Sequence, residues 1–364
     1  MGVRSRMTPV TKGNMRAAFL HGFNDIRIDQ VATPRMGPED VFIKVRACSI
    51  CSSDYDLFTG TARGWLSGHD IQFPRSIGHE FCGEVVEVGG AVRSLAVGDR
   101  VVAPIGMVGC GTCKNCRVGR YSICLAPPKH EWTGCFAEYI SIPSKAAYRL
   151  PENISDEVAP ALEPACVAYW AVRRAGVQLV ENVAILGLGA IGLVAVQCAK
   201  LFEPAKLIVT DLMDFRLDLA KELGADVAIN AADKGYVQQI RDLTDGTGVD
   251  RVVITAGAAG ILDDAIQMVR RGGVIVVSGL SAQSETFVMS RFLIKELDIL
   301  ASYDSPGVWD EVIALVADGK IKLEPLCTHF FALNDIDKAF TAYGDAAKEK
   351  AIRVVVRCSA GANA

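Results

Sequence analysis

The chain has 364 residues, more than the ~250–300 at which a single hydrophobic core stops growing, so two domains are expected. Half of the residues are apolar and 22% are charged, which is typical of a folded globular protein and excludes a disordered or fibrous chain. The 38 basic and 42 acidic residues give a net charge of −4, which argues against nucleic acid as a partner.

Neither end of the chain nor its longest apolar run predicts a membrane protein. Residues 1–14 are polar, lack the apolar segment of a signal peptide, and are predicted to form a flexible extension. The longest weakly polar run, residues 183–199, is shorter than the ~20 residues of a membrane span. With no export signal, the 12 cysteines indicate reduced thiols and metal ligands before disulfides, which predicts a cytoplasmic location.

The first half of the chain has a β-type pattern. From about Arg16 to Pro151, short strand-like segments are separated by glycines, and apolar residues alternate with charged ones in residues 41–47. This half is predicted to be all-β.

From about residue 181 buried strands alternate with helical segments, which is typical of a parallel sheet covered by helices. Six strands fit a doubly wound sheet, and they are predicted at residues 183–186, 207–211, 226–229, 252–255, 274–278 and 297–301. Helices are predicted at residues 214–223 and 309–317. The last strand-like segment, residues 352–356, is predicted to rejoin the first half.

A glycine-rich segment, Gly187-Leu-Gly-Ala-Ile-Gly192, follows the first of these strands and opens a helical stretch. The pattern alone is weak, but between a strand and a helix Gly187 permits a tight turn, Gly189 lets a pyrophosphate approach, and Gly192 allows close packing. The N–H groups at the helix start face the phosphates. The segment, Ile191 included, is therefore predicted to bind a dinucleotide.

Asp211 ends the next predicted strand, 19 residues after Gly192. A carboxylate at this point accepts hydrogen bonds from the adenosine ribose and repels a 2′-phosphate, which predicts NAD(H) over NADP(H). Arg216 leaves an alternative open, because it could reach a 2′-phosphate or stack on adenine.

Four cysteines lie close together in the spacing C-x2-C-x2-C-x7-C, namely Cys110, Cys113, Cys116 and Cys124. Four thiolates on one loop predict a closed tetrahedral zinc site. An iron–sulfur cluster is the alternative, but the x7 gap and Leu125 after the last cysteine differ from the ferredoxin pattern. Because four sulfur ligands leave no position for substrate, this zinc is predicted to be structural.

A second group of candidate ligands is scattered along the chain: Cys51, the pair His79-Glu80, and Glu163. Each alone has an ordinary explanation as a small core residue, a buried histidine or a carboxylate at a helix start. Together they offer sulfur, nitrogen and oxygen ligands, the mixture that leaves zinc an open position. Cys166, three residues after Glu163, is a weaker candidate for a metal ligand than Glu163.

With these motifs, the chain resembles the zinc-dependent medium-chain alcohol dehydrogenases from about Arg16 to Val356, and most of all their polyol, or sorbitol-type, branch. The segment from Gly78 to Val92 resembles the family's zinc signature, and residues 187–216 resemble its cofactor segment. The resemblance implies an α/β protein with a GroES-like β-rich catalytic domain and a Rossmann doubly wound nucleotide domain. The expected bounds are residues 15–162 with 310–364 for the first domain and 163–309 for the second.

The resemblance also implies the roles of the scattered ligands. Cys51, His79 and Glu163 are expected to bind a catalytic zinc, with Glu80 beside the metal and able to ligate it transiently. Many relatives of the alcohol dehydrogenase type have a cysteine where Glu163 stands, so this residue favours the polyol side. Two zinc ions per subunit and NAD are the expected cofactors.

The proton path is expected to begin at Ser53, two residues after the zinc cysteine. Many relatives have a histidine at the outer end of this relay, where the chain has Asp56, so either this carboxylate or water would carry the proton out.

The substrate pocket departs further from the sorbitol-type pattern. Leu57 replaces a tyrosine and Asp304-Ser305 replaces an Arg-Tyr pair, which makes sorbitol itself a doubtful substrate. The insert at residues 63–73, with Trp65, His69 and Asp70, is expected to be a surface loop, with a place in the pocket wall as the alternative.

The leading hypothesis is an NAD-dependent dehydrogenase of secondary alcohols or polyols. The alternatives are oxidation of an amino alcohol in the manner of threonine dehydrogenases, and an inactive NAD-binding protein on the same fold. The expected partners are a small alcohol and further copies of the chain, as a dimer or tetramer, with neither nucleic acid nor membrane.

Overall fold

The structure is a computed structural model, and it describes residues 13–61, 71–105, 108–126, 134–281 and 284–358. Its strands are β1 (Asn14–Gly22), β2 (Asp25–Ala32), β3 (Asp40–Ser49), β4 (Arg75–Ser76), β5 (Glu80–Val88), β6 (Arg100–Val102), β7 (Tyr139–Pro143), β8 (Tyr148–Arg149), β9 (Asn182–Leu186), β10 (Lys206–Asp211), β11 (Val227–Asn230), β12 (Val249–Ile254), β13 (Val269–Val277), β14 (Asp298–Ala301), β15 (Cys327–Ala332) and β16 (Arg353–Arg357). Its helices are α1 (Ser52–Thr59), α2 (Lys114–Arg117), α3 (Leu162–Ala175), α4 (Ala190–Lys200), α5 (Asp214–Glu222), α6 (Tyr236–Asp242), α7 (Ile261–Met268), α8 (Met289–Lys295), α9 (Trp309–Ala317), α10 (Ile336–Gly344) and α11 (Ala346–Glu349).

The second half of the chain forms a parallel six-stranded sheet in the order β11-β10-β9-β12-β13-β14. This is the doubly wound order, in which the strand sequence reverses beside the first strand and opens a crevice at the carboxyl ends. Two apolar clusters cover the sheet, one of them centred on α3, α4 and α9. The prediction of six strands and of the Rossmann class is confirmed.

The first half forms a mixed sheet in the order β15-β16-β3-β5-β6-β8, with β7 also paired to β3. A third sheet holds β2, β1 and β4. Strand β16 pairs antiparallel with β3, so the C-terminal segment rejoins the first half as predicted. The apolar residues between these strands form their own core.

Several details differ from the sequence-based prediction, among them β12, which begins at Val249 and not at residue 252. The first half is not all-β, because helix α1 directly follows β3. The polar residues of this segment, such as Asp54, do not form the apolar pattern that predicts a helix. Strand β13 begins at Val269 and not at residue 274, since the two arginines and two glycines that follow Val269 have no apolar alternation. The residues 1–12 and 62–70, with Trp65, His69 and Asp70, lie outside the described residues.

Candidate zinc and dinucleotide sites

The first candidate metal site lies where β3 ends and β5 begins. Ser49 of β3 pairs with Glu80 of β5, so the residues that follow one strand lie beside those that precede the other. Cys51 caps α1 just after β3, and His79 precedes Glu80. One ligand atom from each of Cys51, His79 and Glu80 lies within 4.8 Å of the others.

Asp54 holds this site in place, a role the sequence analysis missed. Its side chain is buried, with 2% exposure. The backbone N–H of Cys51 donates to Oδ2 at 3.1 Å, that of Gly78 donates to Oδ1 at 3.0 Å, and His79 Nδ1 lies 3.5 Å from Oδ1. A proton on Nδ1 directed at Asp54 leaves Nε2 for a metal, the usual arrangement of a carboxylate behind a ligating histidine.

The Asp54→Asn variant keeps the shape of the side chain but removes the charge that orients His79. We expect its zinc affinity at this site to fall about 10–100-fold, as when other partners of metal ligands are replaced. Competition with a chromogenic chelator measures it. Unchanged zinc affinity would exclude Asp54 from supporting the metal.

Glu80 is fully buried, and one of its two carboxylate oxygens is bound by neighbouring side chains. Its Oε2 forms an ion pair with Arg353 of β16 and accepts a hydrogen bond from Ser49 Oγ at 2.5 Å. Arg353 also donates to Ser49 Oγ at 2.5 Å. The second oxygen, Oε1, is buried and has no hydrogen-bond partner among the described residues. It is therefore the oxygen that is free to meet a metal.

The electrostatics of the site suit metal ligands. Burial raises the pKa of the Cys51 thiol, but the neighbouring His79 outweighs that effect and the pKa falls to about 7. Burial lowers the pKa of His79, yet Asp54 and Cys51 bring it well above its ordinary value. The site thus favours a thiolate beside a positive charge, which a zinc ion can provide in place of the proton.

Glu163 stands in the first turn of α3, close to this group but outside the 4.8 Å set. Burial raises its pKa to about 8, and the charges of His79 and Cys51 both act on it. Cys166, one turn further along α3, is fully buried, and burial raises its pKa. Glu163 thus adjoins the site, and its role as a ligand stays a prediction.

The four-cysteine loop is a compact sulfur cluster. Cys110 Sγ and Cys116 Sγ are 4.0 Å apart, and Cys113 Sγ and Cys124 Sγ are 3.9 Å apart. Tetrahedral zinc with bonds of about 2.3 Å places its sulfurs about 3.8 Å apart, so the spacing fits zinc. A hydrogen bond from Thr112 Oγ1 helps to lower the pKa of Cys110 to about 5, which favours the thiolate.

The other seven cysteines are all free thiols, as predicted, and they are Cys48, Cys82, Cys135, Cys166, Cys198, Cys327 and Cys358. All but Cys327 are buried.

The dinucleotide segment has the geometry that its glycines require. Gly187 has φ +95°, and a Cβ on Gly192 would lie 1.9 Å from the carbonyl oxygen of Gly187. A Cβ on Gly189 would meet nothing within 4 Å, which leaves open space in front of the start of α4. Ile191 lies in the first turn of that helix.

Asp211 ends β10 beside this loop. Its Oδ2 accepts a hydrogen bond from the Leu188 N–H at 2.6 Å, and its Oδ1 accepts one from the Met213 N–H at 2.9 Å. Arg216 Nη1 lies 3.9 Å from Oδ2, and its guanidinium lies over the ring of Phe215. Asp211 and Arg216 therefore lie together at the carboxyl end of β10, beside the glycine-rich loop.

Removing the Asp211 charge should admit NADP(H). We expect Asp211→Asn to raise the ratio of kcat/KM for NADP over NAD by about 10–100-fold, because like charges in contact cost several kcal/mol. Steady-state kinetics with both cofactors measures the ratio. The Arg216→Leu control should change it in the opposite direction, and an unchanged ratio in Asp211→Asn would contradict the role.

The remaining predicted residues lie on α1. Ser53 lies near the Cys51 thiol and contributes to the lowering of its pKa. Asp56 lies further along the helix, and its Oδ1 accepts a hydrogen bond from Thr61 Oγ1 at 2.8 Å, just beyond the end of α1. Leu57 packs at the edge of the core of the first half.

A Rossmann sheet, a mixed β-sheet and two candidate zinc sites together define a dinucleotide-dependent dehydrogenase. Family models agree: one for the alcohol dehydrogenase GroES-like domain matches residues 37–152, and one for zinc-binding dehydrogenases matches residues 190–318. The chain belongs to the zinc-dependent medium-chain alcohol dehydrogenases, on their sorbitol-type branch. It is an oxidoreductase that acts on alcohols with zinc and NAD(H), as the sequence predicts.

Individual relatives support this assignment. The chain is 34% identical to sorbitol dehydrogenase of Bacillus subtilis, over 92% of this chain and 94% of the relative. It is 32% identical to an L-threonine 3-dehydrogenase of Burkholderia multivorans, over 87% and 92%. A zinc-binding dehydrogenase of Sinorhizobium meliloti, solved with NADP bound, superposes with a TM-score of 0.85 at 30% identity, covering 95% of this chain and all of the other.

Among the helices that the structure describes, none has the length and apolar character to span a bilayer.

Proposed function

We propose that the protein interconverts a secondary alcohol or polyol and the corresponding ketone, with NAD(H) preferred over NADP(H). The observation that carries the proposal is the convergence of Cys51, His79 and Glu80 within 4.8 Å, with one buried carboxylate oxygen left unpartnered. Cys51, His79 and Glu163 serve as the resting ligands, and Glu80 is the alternative oxygen donor. When bound at these residues, zinc would act as a Lewis acid toward the substrate oxygen, and the dinucleotide would serve as the hydride acceptor or donor.

The protein's own residues orient the zinc ligands, bind the dinucleotide and move protons. Asp54 keeps Cys51 and His79 in register, and the backbone from Gly187 to Gly192 receives the pyrophosphate. Ser53 takes the hydroxyl proton of the substrate as it releases its own proton, which Asp56 then passes to water.

Loss of Asp56 should alter the pH profile. We expect Asp56→Asn to lower the rate of alcohol oxidation mainly on the acidic side of the plateau, because hydroxide can replace the carboxylate at alkaline pH. A series of kcat measurements across pH tests this. An unchanged profile would remove Asp56 from the relay.

A panel of polyols, ketoses and threonine, with NAD or NADH and monitored by the absorbance of reduced nicotinamide, tests the proposed reaction. Oxidation of threonine alone would favour the amino-alcohol alternative, to which the similarity to threonine dehydrogenases draws attention. A single zinc per subunit and no turnover would favour the inactive alternative.

We also propose a homo-oligomer in the cytoplasm. Within the described residues β14 pairs with β13 alone, and the nearby Val288, Met289, Leu293 and Ile294 are exposed. An exposed strand edge beside apolar side chains favours pairing with a second copy. Light scattering should give the mass of two or four chains, and a monomer would contradict the proposal.

The free state of all twelve cysteines supports a reducing compartment.

A further inference from the structure

A cavity of about 540 Å³ lies at the edge of the Rossmann sheet where β12, β13 and β14 begin. Its walls come from α6 and the loop before β12, from the start of β13, and from α8, which precedes β14. These strands run parallel to β9, whose carboxyl end leads into the glycine-rich loop. The cavity therefore lies at the opposite edge of the sheet from the dinucleotide crevice and is separate from it.

The lining of this cavity is strongly basic. Among the described residues no carboxylate lines it, and its five cationic side chains are Arg241, Arg270, Arg271, Arg291 and Lys295. Two of the five have carboxylate partners outside the lining. Arg270 Nε lies 2.5 Å from Asp250 Oδ1, and Arg291 Nη1 lies 3.4 Å from Asp263 Oδ2.

The other three cations have no carboxylate partner in the part of the chain that the structure describes. The exposed carboxylates that lie nearest to them in the sequence are those of Asp242, Asp245, Glu296 and Asp298. None of these forms an ion pair with the lining, and solvent screens charges that are exposed. The cavity therefore keeps a net positive charge.

Backbone carbonyls hold two of these three cations in place without neutralising them. Arg241 donates to the carbonyl oxygens of Gln267 at 3.1 Å and Gly246 at 2.5 Å. Lys295 Nζ donates to three carbonyl oxygens at the end of α7 and the start of β13, at 2.6–2.9 Å. Burial and the charges of the neighbouring arginines lower the pKa of Lys295 to about 8, as expected where cations are crowded together.

Arg271 is the cation that is free to bind a ligand. Between Val269 and Val274, β13 has four residues where the paired segment of β12 has one, so these residues bulge from the sheet. Arg271 is exposed on this bulge, and its guanidinium has no partner among the described residues. A guanidinium in this position can donate two parallel hydrogen bonds to a phosphate group.

The size and charge of the cavity indicate the class of ligand. Cavities of about 300–1,000 Å³ hold small organic molecules, and this one is much larger than a single phosphate group. Among the described lining residues Ile294 is the one apolar side chain, so the lining does not favour an apolar ligand. Three cations without carboxylate partners favour a ligand with more than one phosphate group.

We propose that this basic cavity binds a small organic molecule that carries two or more phosphate groups, at a site separate from the dinucleotide crevice.

The probe that tests the proposal is 1,3-propanediol bisphosphate, which has no free hydroxyl and so cannot react as an alcohol substrate. The full-length, zinc-loaded enzyme is first saturated with NADH, which fills the dinucleotide crevice, and is then titrated calorimetrically at pH 7. We expect the bisphosphate to bind at least about tenfold more tightly than propyl phosphate, because a second phosphate adds further charge-assisted hydrogen bonds. Its affinity should fall as salt is added, and its binding should raise the thermal midpoint.

The Arg271→Gln variant should weaken binding of the bisphosphate at least about tenfold, because it removes the free guanidinium. The matched control is Arg35→Gln, which removes an exposed arginine between β2 and β3 that also has no partner among the described residues. It should leave the affinity unchanged. The thermal midpoint without ligand shows whether each variant is folded, and the comparison of the two phosphates needs no variant.

Four results would overturn the inference. They are equal affinity for the two phosphates, normal binding by a folded Arg271→Gln variant, binding that is lost once NADH fills the crevice, and no binding at all. The last result would also be found if copies of the chain covered the cavity in the oligomer. None of these results bears on alcohol oxidation, which the substrate panel tests.

Discussion

Replacing Cys51 with alanine should reduce kcat/KM for alcohol oxidation by at least about 1,000-fold, since a Lewis-acidic metal contributes several kcal/mol and each ~1.4 kcal/mol is a factor of ten. Cys51 is the only sulfur in the group that also contains His79 and Glu80. Its loss leaves nitrogen and oxygen donors alone, which hold zinc less well than a set that includes a thiolate. Zinc per subunit should therefore fall from two to one, measured by elemental analysis after dialysis.

The control is Cys48→Ala, which removes a buried thiol three residues earlier on β3. Cys48 contacts Cys358 and the backbone of Cys135, and it lies outside the metal group. Two zinc ions and nearly normal activity are expected there. If Cys51→Ala also kept two zinc ions and its activity, Cys51 would not be a ligand.

Local patterns explain why much of the fold could be predicted. The run Val183 to Leu186 is buried on both faces of the sheet, and it places the glycines after it between a strand and a helix, which is the context that makes their pattern informative. The four cysteines are close in sequence, so their meeting in space needed no knowledge of the fold. In both places the sequence neighbours are also the structural neighbours.

Other parts of the site depend on contacts between distant segments, and no local pattern reports these. Arg353 meets Glu80 only because β16 pairs with β3 and β3 pairs with β5. Asp54 is close to Cys51 in the sequence, but its contact with His79 depends on where β5 begins in the fold. Helix α1 was missed because its segment is short and polar and its one buried residue is Asp54, so no stripe of apolar residues marks it as a helix.

Replacing Arg353 with methionine should lower stability by about 3–5 kcal/mol, because it leaves Glu80 charged, buried and unpaired. The side chains are 4% and 0% exposed, and Ser49 connects them. Burial lowers the pKa of Arg353 to about 10, so the guanidinium keeps its charge at neutral pH and pairs with Glu80 in the native protein. The midpoints of thermal and urea unfolding should both fall.

Two further variants separate the pair from its surroundings. Arg357→Met removes an arginine of the same strand whose partner, Glu157, is 44% exposed, and an ion pair at the surface contributes only about 0–1 kcal/mol. The double variant Arg353→Met with Glu80→Gln should regain most of the lost stability, because no buried charge is left without a partner. If the double variant were as unstable as Arg353→Met alone, the loss would come from the packing of the arginine stem and not from the unpaired carboxylate. The distinction matters for the proposed metal site, because a charged Glu80 bound by Arg353 at Oε2 leaves its Oε1 without a partner among the described residues.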